Sequence, residues 1–138
     1  MSSIKRVKEI NVDEYTTPSP VFVSPDDNLL TVKNLLTENG IRHMPVIKNK
    51  EVVGILSDRD VKLIESCFED ISTLKVDYVM TPDPYTVLPD TPLDEVVYNM
   101  SKQKIGSTIV KSDEDEYIGI FTSTDALNAL LEVLRGDV

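Results

Sequence analysis

The chain has 138 residues and a formal charge of −10, from 24 acidic against 14 basic side chains. That balance disfavours nonspecific nucleic-acid binding, which depends on neutralising many phosphates with Lys and Arg. Only one cysteine, Cys67, is present, which excludes an intramolecular disulfide and a zinc site of the usual Cys/His spacing.

With 41% apolar residues the chain is expected to fold rather than stay disordered. No apolar run approaches the ~20 residues of a membrane span, and Met1–Ile10 is too polar for a signal peptide. A reducing, cytoplasmic setting without membrane contact is the expectation. Charge is unevenly spread: residues 1–69 hold nine basic and eleven acidic side chains, and residues 70–138 hold five and thirteen. An anionic ligand therefore meets less repulsion in the first half.

In chain order, the short Lys5-Arg6-Lys8 patch reads as a solvated helix face, and Thr17–Pro20 as a loop. Val21–Ser24 reads as a short strand stopped by Pro25. Leu29, Val32, Leu35 and Leu36 have helical spacing, ended by Asn39-Gly40. Met44–Ile47 and Val52–Leu56 predict a hairpin turning at Lys48–Glu51, and a helix follows from about Asp58 to Phe68. The link Glu69–Lys75 has neither Gly nor Pro, unlike a flexible tether.

The second half reads alike. Thr81–Pro84 is a loop and Tyr85–Leu88 a strand; Leu93, Val96, Val97 and Met100 form a helix, with Thr91 as N-cap and Pro92 in the first turn. Thr108–Val110 and Tyr117–Phe121 form a hairpin over the acidic turn Ser112–Glu116. A last helix runs from about Ser123 to Arg135, stopped by Gly136.

This likeness is a repeat. An offset of 64 aligns Val12-Asp13, Thr17-Pro18 and Pro25-Asp26 with Val76-Asp77, Thr81-Pro82 and Pro89-Asp90. After one insertion, an offset of 65 aligns Gly54-Ile55 and Asp60 with Gly119-Ile120 and Asp125, giving sixteen identities over 52 compared positions. The fold class is α+β: two β-α-β-β-α units, residues 12–68 and 76–135. Each is too small to be secure alone, so the two are expected to pack through their sheets with pseudo-twofold symmetry.

Little in the pattern suggests catalysis, because His43 is the only histidine and Cys67 has no matching partner. Asp113–Glu116 lacks the spaced ligands and Gly of a calcium loop and reads as a solvated turn. Ser57-x-x-Asp60 and Thr122-x-x-Asp125 each match a helix capping box.

The pattern as a whole resembles the CBS domain family, in particular a tandem CBS pair or Bateman module. The resemblance rests on Gly-Ile-Leu-Ser-Asp-Arg-Asp at 54–60, Gly-Ile-Phe-Thr-Ser-Thr-Asp at 119–125, Val79-Met80-Thr81-Pro82, and Ile41-Arg42-His43-Met44-Pro45-Val46. It spans Val12 to about Arg135, so no catalytic or DNA-binding domain regulated in cis is expected. It implies a regulatory module, not an enzyme, that binds AMP, ADP or ATP, or less readily S-adenosylmethionine or NAD, in the cleft between repeats. A homodimer and a regulated partner protein in trans are implied as well. The other reading is a ligand-free dimeric interaction module in which capping alone accounts for the motifs.

The resemblance also implies site residues. Asp60 and Asp125 would accept hydrogen bonds from ribose hydroxyls, with the hydroxyls of Ser57 and Thr122 nearby. Arg42, His43 and Arg59 would contact phosphate. Gly106, Ser107 and Thr124 hold the matching positions in the second repeat, so two equivalent phosphate sites are not expected. Thr86 occupies a strand position where relatives place a hydroxyl, with Phe22 as its counterpart. Adenine would lie among Val21, Phe22, Ile41, Met44, Ile105 and Ile118. No metal site is implied.

Overall fold

Both hairpins form where the alternating apolar runs place them, and each builds a separate core. The computed structural model describes residues 9–19, 21–113 and 118–136. They fall into two compact units: one is Ser19–Pro84, and the other joins the chain up to Pro18 with the chain from Tyr85 onward. The Lys5-Arg6-Lys8 patch, residues 114–116 of the acidic turn and Tyr117 lie outside the described residues.

In the Ser19–Pro84 unit, helix α1 (Leu29–Asn39) starts at Asn28, whose Oδ1 accepts from the Thr31 N–H at 3.0 Å. It ends at Gly40, where φ is 60°, a left-handed conformation that glycine adopts without penalty. Strands β2 (His43–Lys48) and β3 (Glu51–Ser57) pair antiparallel about Asn49-Lys50. Both turn residues have positive φ, 52° and 68°, the two-residue turn that suits strand twist. Helix α2 (Asp58–Glu65) follows directly. Val23, Leu29, Val32, Leu36, Met44, Val46, Leu56, Val61, Ile71 and Val76 form the core.

Two sequence expectations change in this unit. Val21–Ser24 is not a regular strand, but only a parallel bridge of Val23 to Val46. Thr81–Pro82, expected to be a loop, forms strand β4 on the free edge of β3, with Pro82 opposite Gly54. An edge is where a residue without a backbone N–H is tolerated. It also explains Gly54: a Cβ there would collide with Met80 Sδ, and would lie 2.9 Å from Met80 Cγ and 3.1 Å from the Thr81 carbonyl.

The other unit repeats the plan. Thr17–Pro18, also expected to be a loop, is strand β1, pairing with β7 (Ile118–Thr122) so that Pro18 faces Gly119. The sheet runs β1-β7-β6-β5, with β6 at Ser107–Lys111 and β5 at Thr86–Val87. Helix α3 (Leu93–Gln103) is preceded by Pro92 at the N-cap position, so Thr91 is not its cap. Asp94 and Glu95 still place negative charge in the first turn, where the helix dipole favours it. Lys104, where the first repeat has Gly40, takes the left-handed conformation at φ 58°. Helix α4 (Ser123–Leu134) closes the unit. Ile10, Val12, Leu93, Val96, Met100, Val110, Phe121 and Ala129 make its core. Val12 and Val76 are equivalent by sequence, yet each completes the core built mainly from the other repeat.

Candidate ligand site

Local pairing at one end of the β2–β3 hairpin gathers five of the expected residues. The register sets His43 opposite Ser57, and the first N–H of α2, that of Asp58, donates to the Arg42 carbonyl at 2.8 Å. Arg42, His43, Ser57, Arg59 and Asp60 therefore surround the start of α2. The capping box is complete: Asp60 N–H donates to Ser57 Oγ at 3.1 Å, and Ser57 N–H donates to Asp60 Oδ2 at 2.8 Å. Asp60 Oδ1 has no hydrogen-bond partner among the described residues, so capping uses only half of the carboxylate.

The local electrostatics are favourable to an anion. Lys62 pairs with Asp58 at 2.9 Å, which offsets one of the two acids at the helix start. Arg42 and Arg59 are exposed, and neither has an ion-pair partner among the described residues. The helix N-terminus adds partial positive charge. Phe22 precedes the Val23–Val46 bridge and so lies near the same end of β2; it is 55% exposed. Val21 and Ile41 are half-buried.

Met44 differs from its expected role. It is fully buried in the core and has no surface to offer an adenine. Strand alternation turns it away from the face of His43 and Pro45.

The corresponding place in the other unit has the same backbone and different chemistry. Ser107 lies opposite Thr122, and Ser123 N–H donates to the Gly106 carbonyl at 3.0 Å. Thr122 caps α4, with its N–H 2.8 Å and its Oγ1 3.1 Å from Asp125 Oδ2. Asp125 is half-buried like Asp60, but no cationic side chain stands at positions 106, 107 or 124. Thr86 is exposed on β5, opposite Ile109, and Ile105 and Ile118 are half-buried.

Sequence reasoning missed the carbonyls of Arg42 and Gly106, which tie each hairpin to the following helix. Backbone acceptors leave no residue-type signal. Two shifted groups lie elsewhere. The hydrogen bond from Tyr15 to Glu132, helped by burial, pushes the phenol up to about 12. Hydrogen bonds from Ser72 lower the Asp70 carboxyl. Among the described residues, no group of His, Cys, Asp and Glu is placed to hold a metal ion, and no helix is long and apolar enough to cross a membrane.

Two α+β units, each a hairpin leading into a capped helix, define a tandem CBS pair. The CBS domain model matches residues 7–64 and 75–132, and the chain belongs to the CBS domain family. It is 33% identical over 123 residues to inosine-5'-monophosphate dehydrogenase of Korarchaeum cryptofilum, covering 89% of this chain and 24% of that one. It is 26% identical to a CBS domain-containing protein of Dictyostelium discoideum, covering 92% and 95%. The chain thus spans about a quarter of the dehydrogenases it matches. Among solved structures it resembles CBSX2 in complex with AMP, at 26% identity and TM-score 0.68, covering 89% and 97%. The fold is shared also with the CBS domain pair of protein MJ0100, at 23% identity and TM-score 0.75, covering 88% and 99%.

Proposed function

We propose that this chain is a regulatory module that binds an adenine nucleotide carrying a 5'-phosphate, through the end of the β2–β3 hairpin. The observation that carries this is the convergence of Arg42, His43 and Arg59 on the start of α2, beside a carboxylate with one oxygen to spare. In this reading Asp60 Oδ1 accepts from the ribose hydroxyls while Oδ2 keeps the cap. Arg42, His43 and Arg59 meet the phosphates, assisted by the Ser57 hydroxyl and the helix N-terminus. Phe22, with Val21 and Ile41, offers an apolar face to adenine. The AMP complex of CBSX2 supports the ligand class. The two arginines, with His43 beside them, favour AMP, ADP or ATP over S-adenosylmethionine, whose sulfonium is itself positive.

The Asp125 cluster keeps the acceptor without the cations, so occupancy is unequal. Binding becomes a signal only if a partner protein senses the conformation that the nucleotide prefers. No step of catalysis is assigned to any residue. A second reading, a ligand-free interaction module, is favoured by the completeness of both capping boxes. A thermal-shift screen with AMP, ADP, ATP, S-adenosylmethionine and NAD separates the two. A ligand at 100 times its Kd adds about 2.7 kcal/mol, roughly 9 °C for a chain of this size. A rise with a phosphate-bearing nucleotide supports the sensor; no rise with any of the five supports the interaction module.

A further inference from the structure

A single backbone hydrogen bond distinguishes the two repeats beside the hairpin. In the second, Ile109 N–H donates to the Tyr85 carbonyl at 2.9 Å. Two parallel pairs follow from it, Thr86 with Ile109 and Val87 with Val110. In the first repeat Val23 pairs with Val46 and the pairing goes no further. The offset of 64 shows what is missing: Phe22 and Pro45 hold the positions of Thr86 and Ile109. Proline has no N–H, so the bond that Ile109 makes to Tyr85 cannot form between Pro45 and Val21. Val23 keeps both of its own bonds, donating to the Pro45 carbonyl at 3.1 Å and accepting from Ile47 N–H at 2.8 Å.

The Val21 carbonyl finds its donor elsewhere. Ser19 Oγ donates to it at 3.1 Å, a bond to a near neighbour in sequence rather than to the sheet. The second repeat has Asp83 at the position of Ser19, without a hydroxyl to do the same. A ladder fixes φ and ψ and stands each side chain upright on the sheet. Phe22 lies just outside the last pair, so its backbone keeps the latitude to lean the ring. That ring is 55% exposed, at the end of β2 where Arg42 and His43 lie.

We infer that Pro45 and Ser19 are positioning residues that set Phe22 to stack on the base of the bound nucleotide. Pro45 keeps the sheet from capturing Phe22, and the Ser19 hydroxyl holds the released backbone. The inference rests on the nucleotide reading and deepens it. It makes the first repeat the one that tells a nucleotide from a sugar phosphate. In the second repeat Thr86 is fixed in β5 and has no ring to offer.

Ribose 5-phosphate carries the sugar and phosphate of AMP without the base, so the two ligands separate stacking from the rest. In calorimetric titration of the full chain, Phe22→Ala is expected to weaken AMP about 5- to 150-fold, the range of one aromatic–base stack, and to leave ribose 5-phosphate unchanged. Pro45→Ala returns the missing N–H. It is expected to weaken AMP at least fivefold, again without touching ribose 5-phosphate, and its new amide is expected to be protected from hydrogen exchange. Ser19→Ala is expected to weaken AMP in the same selective way, while Ser19→Thr, which keeps the hydroxyl, stays near the parent. Added to Phe22→Ala, neither Pro45→Ala nor Ser19→Ala costs more, because both act through the ring. A merely structural role would weaken both ligands together. Equal losses for the two ligands, AMP affinity within twofold of the parent in Pro45→Ala and Ser19→Ala, or a freely exchanging amide at position 45 overturns the inference and leaves the nucleotide reading standing. A parent chain that binds neither ligand overturns both. Ser19→Ala carries the test should Pro45→Ala fail to fold.

Discussion

Asp60→Asn separates the two tasks assigned to one carboxylate. In the parent chain, Oδ2 accepts from Ser57 N–H at 2.8 Å and Oδ1 is left for a ribose. An asparagine amide oxygen still accepts from Ser57 N–H, so the cap survives and stability is expected to fall by less than about 1 kcal/mol. The amide has neither the charge nor a second acceptor for a pair of hydroxyls. Losing charge-assisted hydrogen bonds worth about 1.5–3 kcal/mol weakens binding roughly 10- to 150-fold. Ser57→Ala does the reverse: it removes the Oγ that accepts from Asp60 N–H and costs about 1 kcal/mol of stability. It leaves Asp60 held by the Ser57 backbone, so affinity falls only by the one hydroxyl contact to phosphate, less than in Asp60→Asn. Titration calorimetry with AMP, beside urea unfolding, measures both quantities. Affinity within twofold of the parent in Asp60→Asn, with unfolding unchanged, refutes the ribose role. The same loss in Asp125→Asn instead of Asp60→Asn refutes the assignment to the first repeat.

Other expectations concern the scaffold. Gly54→Ala places a Cβ against Met80 and the Thr81 carbonyl of β4; urea unfolding is expected to show a loss of about 1–3 kcal/mol, and an unchanged midpoint contradicts the close packing of that edge. Thr108 is fully buried and its Oγ1 has no partner among the described residues, so the isosteric Thr108→Val is expected to gain about 1 kcal/mol; a loss would show that the hydroxyl is satisfied in solution. Tyr15 is protonated more tightly when folded, being pushed up to about 12 by Glu132. Its contribution is full below the unfolded value near 10 and disappears as pH rises through the folded value. Tyr15→Phe is therefore expected to cost about 1 kcal/mol or less at neutral pH and to flatten the loss of stability above pH 10; identical alkaline profiles would refute the coupling.

What the sequence revealed depended on how local each cause is. Helices and hairpins follow from spacings such as Leu29-Val32-Leu36 and from turn residues such as Asn49-Lys50, so they were legible. Strands β1 and β4 were not. Thr17-Pro18 and Thr81-Pro82 look like loops because their pairing partners, Ile120-Gly119 and Ile55-Gly54, lie far away in sequence. The same exchange places Val12 and Val76 in cores built mainly by the opposite repeat. The apolar run stopped by Pro25 misled at Val21–Ser24, where a single bridge of Val23 to Val46 stands in place of a strand.

The candidate site was legible where a side chain announces its chemistry, as at Arg42, Arg59, Asp60 and Asp125. It was less so where burial decides. Met44 directly follows the site positions Arg42 and His43 in sequence, but alternation sends it into the core. Helix α4 was legible as an element ending before Gly136. Only the packing of Ala126 and Ala129 showed which face of that helix is covered.

The most direct test of the account is the number of nucleotides bound and what holds them. Calorimetric titration of the parent chain with AMP, ADP or ATP is expected to give one tight site per chain, weakening as salt is raised because phosphate charge is being neutralised. Arg42→Ala combined with Arg59→Ala is expected to abolish it without changing the unfolding midpoint. Two equal sites per chain, or a single site indifferent to both arginines, would contradict the asymmetric phosphate-binding cluster on which the account rests.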